Sequence, residues 1–360
     1  MKALFVNPGG IGDQILLLPT VKLFKDYFQD CSIDLITEPR STCIREITNL
    51  YRNVKEFDFK GNNLKILKLR ELLRDKNYKY LFISGASYKA NLTALLSSAE
   101  IKIGFHKSIL SNLFLTHSIK LNTKQYFANS LAELITPIIP DTKNLIKTHD
   151  LIPEIKISSS SIEWIKKSIM PRIKDRYYSK KIFIHPGVSK LSIKKNILKT
   201  WNEKNWATLI EKLIENQDNT VILLGGKDDE ETIKKIHSKI TFFTRPKNFF
   251  DFSNENFSLE KLAALISTAD LFICVDSAPM HIAVGLGKKI VAFFGPTDPK
   301  KLLPNDQRFT AVHATELSCR PCLFDIRKES CSKPICLDIP AEQMLNAIKK
   351  QLELSTVLEE

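Results

Sequence analysis

Residues 269–299, ADLFICVDSAPMHIAVGLGKKIVAFFGPTDP, constrain the fold more than any other part of the chain. An apolar run over 271–275 ends in Asp276-Ser277, and an apolar helix over 280–286 follows Pro279. Gly287 stops that helix, a second apolar run covers 290–294, and the turn Gly295-Pro296-Thr297-Asp298-Pro299 closes the segment. The order is strand, tight turn, helix, strand, with small and polar groups gathered at the strand ends. In parallel α/β sheets ligands bind at that edge, because helix N-termini there offer unpaired N–H groups to anions. The segment therefore predicts a site for a phosphorylated small molecule, set against the plainer alternative of a strand end without a ligand.

The same alternation runs through the whole chain. In the first half the pattern predicts strands over 3–7, 33–37, 80–84 and 101–104 and helices over 13–28 and 64–74. In the second half it predicts strands over 182–185 and 221–224, and helices over 203–216, 228–236 and 259–268, the last with Ser258 as N-cap. Within 203–216, Trp206, Leu209, Ile210, Leu213 and Ile214 share one helical face. Alternation of this kind builds parallel sheets covered by helices, an α/β fold. A chain of 360 residues exceeds one ordinary core. Two domains are expected, 1–175 and 176–340, divided in the polar, basic stretch around Pro171, with a final amphipathic helix in 341–360 packing back on the first.

Charge divides unequally between the halves. Residues 1–180 hold 28 Lys and Arg against 17 Asp and Glu, whereas residues 181–360 hold 25 against 23. A positive field on one domain favours polyanionic partners, although a Lys-, Ile- and Asn-rich genomic bias would also raise the count. With 43% hydrophobic and 26% charged residues, the composition excludes extended disorder. The opening MKALFVNPGG breaks too early for a signal peptide, and no run of 18 apolar residues occurs, so a cytoplasmic protein without a spanning helix is expected.

Strand 3–7 runs into Asn7-Pro8-Gly9-Gly10-Ile11-Gly12-Asp13, where glycines allow a sharp turn and close approach of a ligand. Asp13 there fits two roles, a helix N-cap or a general base for a substrate hydroxyl. His185-Pro186-Gly187-Val188-Ser189 ends the first strand of the second domain, and a lysine-rich loop leads through Lys199 to Trp201, groups suited to a diphosphate. His281, in the first turn after Pro279, fits either a phosphate donor or a packed helix-start histidine. Cys319, Cys322, Cys331 and Cys336 follow C-x2-C-x8-C-x4-C, compatible with structural zinc or with reduced thiols. No HExxH, GxSxG or Walker A motif is present, which removes support for metalloprotease, serine hydrolase and P-loop chemistry. No recognised nucleic-acid module is visible either, so no nucleic-acid partner is expected.

Taken in order, these motifs resemble glycosyltransferase family 9, the heptosyltransferases of the lipopolysaccharide inner core. The resemblance rests on G-x-G-D at Gly10 to Asp13, H-P-G-x-S at His185 to Ser189, K-x-W at Lys199 to Trp201, and L-L-G-G at Leu223 to Gly226. It continues through S-L-x-x-L at Ser258, D-S-x-P-M-H at Asp276 to His281, F-G-P-T-D-P at Phe294 to Pro299 and C-x-P-C at Cys319. The chain departs from the family pattern at Ala278, often glycine, at Thr200, and in a longer loop over 190–198.

The resemblance implies a GT-B fold, two Rossmann-like domains facing a central cleft, and an inverting glycosyltransferase that needs no metal or other cofactor. Its donor would be ADP-L-glycero-D-manno-heptose, and its acceptor an anionic phosphorylated lipopolysaccharide core at the inner face of the cytoplasmic membrane. By the same resemblance Asp13 is the catalytic base, and Lys199 offsets charge on the leaving nucleotide. Gly10 and Gly12 shape the acceptor loop, Ser189 holds the diphosphate, Glu230 the ribose and Phe257 the adenine. Asp276, Ser277, Ala278 and His281 line the helix start that receives the diphosphate. A different nucleotide sugar on the same fold, or a sugar-nucleotide binder without catalysis, are the alternatives.

Overall fold

The computed structural model describes residues 1–61, 65–74, 77–85, 88–106, 113–173, 179–242, 244, 246–323 and 331–353. They form two compact units, Met1–Lys156 and Ile157–Glu360. In the first, β1 (Lys2–Asn7), β2 (Ser32–Thr37), β3 (Asn53–Glu56), β4 (Tyr80–Ile83), β5 (Ile101–Phe105) and β6 (His117–Ile119) make one sheet in the order β3-β2-β1-β4-β5-β6. In the second, β7 (Lys180–His185), β8 (Asn219–Leu223), β9 (Phe249–Asp251), β10 (Leu271–Val275), β11 (Ile290–Phe294) and β12 (Phe309–His313) pair as β12-β11-β10-β7-β8-β9. Every pairing is parallel. Both orders are the doubly wound one, reversing direction next to the unit's first strand, and that reversal opens the crevice where such sheets take ligands.

Burial follows from this architecture. All residues of β8, β10 and β11 are buried, as continuous apolar runs covered on both faces require. In the first unit Phe5, Phe24 and Phe82 pack ring on ring, Phe5 and Phe82 with centroids 4.6 Å apart. The second core carries the predicted face of the Glu203–Glu215 helix, Trp206, Leu209, Ile210, Leu213 and Ile214, together with Trp201.

The units divide earlier than the 175/176 boundary read from the sequence. The helical stretch from Ser159 through Ile173 belongs to the second unit because its side chains pack there. Trp164 meets Phe257 edge-on at 5.5 Å and carries the Lys261 ammonium 4.9 Å from its ring, while Arg172 pairs with Glu255. The polar run around Pro171, read as a linker, is the solvated face of this helix.

The final helix, Ala341–Glu353, belongs to the second unit. It packs within the second unit: Met344 and Ile348 enter that core, and Gln351 bonds to Thr310 and to the Gln307 carbonyl. Residues 354–360 lie outside the described residues. Among the described residues no helix is long and apolar enough to cross a membrane.

Candidate active site

In the first unit the turn after β1 is built around Asp13. The Ile11–Tyr27 helix begins with Gly10 as N-cap, and the Asp13 carboxylate reaches back to accept the Gly10 N–H at 2.7 Å. The N-cap position expected for Asp13 thus belongs to Gly10, and Asp13, three residues on, caps from inside the first turn, partly exposed at the C-terminal edge of the sheet. A Cβ on Gly9 would fall 2.3 Å from Asp13 Cβ, so this glycine is required by the close approach of the carboxylate. Three residues that motif reading passed over brace the turn. Asn7 donates to the Asp13 carbonyl and accepts from Gly9 N–H, Gln14 donates to the Asn7 carbonyl, and Ser41 donates to the Gly9 carbonyl. Gly12 lies in the first helical turn beside them.

In the second unit three turns leave the sheet side by side, because β10 pairs with β7 in a register that sets Cys274 beside His185, and β11 lies on the other flank of β10. The Asp276 carboxylate, 4% exposed, accepts the Thr297 hydroxyl at 2.6 Å and pairs with Lys199 Nζ at 2.7 Å. The sequence pointed to Asp276 and Lys199 separately. Their shared oxygen, and Thr297 as its second donor, come only from the fold.

Ser277 is the N-cap of the Ala278–Gly285 helix, yet its hydroxyl turns back to the Val275 carbonyl and makes no cap. The helix start is thus left for another acceptor, with Ala278 and Pro279 in its first turn and His281 buried behind it. Lys199 is held in place by its neighbour Trp201, buried against Trp206 and Phe293 and donating its indole N–H to the Ile339 carbonyl at 2.7 Å.

Ser189 is used locally: its hydroxyl oxygen caps the short Lys190–Lys194 helix by accepting from Ser192 N–H. Glu230 lies exposed at the start of the Glu230–His237 helix, its carboxyl held below the usual range first by the hydrogen bond from Lys234. The buried carboxylate of this turn is its neighbour Asp229, which accepts from Gly226 N–H at 2.9 Å and stands 3.5 Å from His185 Nε2. Phe257, half-buried, presents its ring to Trp164.

Gly187 is the tightest point of this turn. A Cβ there would lie 1.8 Å from Asp229 Oδ1, so Gly187→Ala must displace Asp229 from both Gly226 and His185. A loss of about 1–3 kcal/mol in stability is expected, with weaker nucleotide binding, measurable by thermal unfolding and by titration with ADP.

The four cysteines of the C-x2-C-x8-C-x4-C pattern stand as free thiols. Among the described residues no group of three or more His, Cys, Asp or Glu is placed to hold a metal. Cys336 is buried while Cys319 is exposed, and burial first, then the nearby thiols, pushes the Cys336 thiol up. The segment serves a different end. Arg320, between Cys319 and Cys322, donates to the carbonyls of Gly295, Thr297 and Ala314, and the Cys322 N–H bonds the Pro296 carbonyl. It clamps the turn that carries Thr297, a role that the pattern of cysteines does not announce.

A family model described as glycosyltransferase family 9 (heptosyltransferase) matches residues 66–333. The chain belongs to this family and is a glycosyltransferase, its two Rossmann-like units being those of the GT-B fold. It is 23% identical to lipooligosaccharide heptosyltransferase 2 of Campylobacter jejuni, over 97% of this chain and 99% of that one. It is 24% identical to lipopolysaccharide heptosyltransferase 3 of Escherichia coli K12, over 95% of each. Among solved structures, the ADP-heptose lps heptosyltransferase II of E. coli superposes with a TM-score of 0.76 at 17% identity, covering 99% of this chain and 100% of that one.

Proposed function

We propose that the protein transfers heptose from ADP-L-glycero-D-manno-heptose to an inner-core lipopolysaccharide acceptor, inverting the anomeric centre, at the inner face of the cytoplasmic membrane. The observation that carries this reading is the buried Lys199–Asp276–Thr297 network beside an uncapped helix start. A departing nucleoside diphosphate develops negative charge, and a fixed ammonium with a helix N-terminus offsets it without reorganisation. The electrostatic work is thereby assigned to Lys199 and the helix, and the reaction is taken to need no metal.

Inversion requires one base to take the acceptor proton as the diphosphate leaves, the role assigned to Asp13. Glu230, Phe257, Ser189 and His281 are assigned to the nucleotide. Family membership and the names of the relatives support heptose and the lipopolysaccharide core, and the basic first half suits an anionic acceptor.

The test is a thermal shift with ADP, UDP and GDP on the purified chain, followed by transfer from ADP-heptose to a truncated core acceptor. ADP is expected to stabilise most, by roughly 2.7 kcal/mol at one hundred times its dissociation constant. Preference for UDP or GDP would instead assign another nucleotide sugar and another surface glycan.

A further inference from the structure

We infer that Arg40 recognises a negatively charged substituent, carboxylate or phosphate, on the acceptor sugar near the hydroxyl that Asp13 deprotonates. The inference deepens the function proposed above and rests on it.

Arg40 stands at the start of the 3-10 helix Pro39–Glu46, directly after β2. The Ser41 hydroxyl, donating to the Gly9 carbonyl at 3.1 Å, pins that start to the Asp13 turn. A Cβ on Gly10 would lie 3.4 Å from an Arg40 terminal nitrogen and 3.7 Å from Asp13 Oδ2, so the two groups flank the same notch. Gly10 keeps the notch open. Yet they form no ion pair with each other, and among the described residues the exposed Arg40 guanidinium has no hydrogen-bond or ion-pair partner.

The surroundings explain why this cation is kept. Asp13 is held on its own side of the notch by the Gly10 N–H, which one of its oxygens accepts at 2.7 Å. Glu38, 5% exposed, has one carboxyl oxygen buried without a partner and turned away from solvent, with Arg40, Lys60 and Asp58 as its charged neighbours. An outward guanidinium beside a candidate base thus offers a planar two-donor fork to an oxyanion, in geometry that an ammonium does not match. Placed there, the anion would bring the neighbouring sugar hydroxyl within range of Asp13, and the fork would set which hydroxyl reacts.

The test is steady-state kinetics of the full-length wild type, Arg40→Ala and Arg40→Lys on three acceptors: the anionic core sugar, its carboxylate-reduced analogue and its dephosphorylated analogue. Arg40→Ala is expected to raise the KM for the anionic acceptor roughly tenfold to a hundredfold, the effect falling on the acceptor and not on the donor. Arg40→Lys should recover part of the loss, since the charge remains but the fork does not. On the analogue lacking the recognised group, wild type and Arg40→Ala should converge, and which analogue does so identifies carboxylate or phosphate. Equal losses on all three acceptors, or none on the anionic one, would overturn the assignment. A wild type that transfers to no acceptor while binding ADP would overturn the proposed function itself, and this inference with it.

Discussion

Asp13→Asn is expected to lower kcat by roughly a hundredfold to ten-thousandfold, the range of a positioned general base. The same change should leave the melting temperature nearly where it was. The asparagine side-chain oxygen can still accept the Gly10 N–H that Asp13 now takes at 2.7 Å. The substitution therefore separates the two roles that this residue offers. A cap explains stability and is preserved, whereas an amide has no capacity to remove a proton. Kinetics and thermal unfolding on one preparation measure both, and ADP binding, assigned above to the second unit, should be unaffected. A variant that kept wild-type turnover would reduce Asp13 to a cap.

The second large effect is expected at Asp276. Its carboxylate is almost wholly buried and serves two donors, Lys199 Nζ at 2.7 Å and the Thr297 hydroxyl at 2.6 Å. Asp276→Ala would leave a largely buried ammonium and a buried hydroxyl without that oxygen, and removing one partner of a buried pair costs about 3–5 kcal/mol. In a unit of this size that is a fall of roughly 6–20 °C in Tm.

Lys199→Met differs in kind. It strands a buried carboxylate, and it also removes the charge that offsets the departing diphosphate, so kcat should fall by about a hundredfold to a thousandfold. Differential scanning calorimetry with single-turnover kinetics distinguishes the two variants. Comparable stability of both variants to wild type would mean that the three groups do not act as a unit.

Strands with continuous apolar runs were legible from the sequence. The expected 271–275 and 290–294 segments are β10 and β11 residue for residue, since parallel strands buried on both faces must be apolar throughout. Edge strands were not. β3 reads NVKE, has no buried residue and lies at the end of its sheet, so nothing in its composition separates it from a loop. β12, the opposite kind of edge, is half-covered and mixed in character.

The division between units was misplaced for a related reason. The surface of the Ser159–Ile173 stretch is polar and basic, and its attachment through Trp164 and Arg172 depends on Phe257 and Glu255, distant in the sequence. The candidate site residues followed the same rule. Those carried by a motif, Asp13, Lys199 and Asp276, could be named in advance. Those whose part depends on which loops lie side by side, Thr297, Arg320, Asp229 and Ser41, needed the register of the sheets.

The measurement that reaches the central claim most directly is proton NMR of the complete reaction, following the anomeric signal of the heptose from ADP-heptose to a truncated core acceptor. Acceptor-dependent ADP release matched by a new glycosidic signal of opposite anomeric configuration is expected, as a single displacement with one base demands. Retained configuration, or nucleotide release with no heptose on the acceptor, would contradict it.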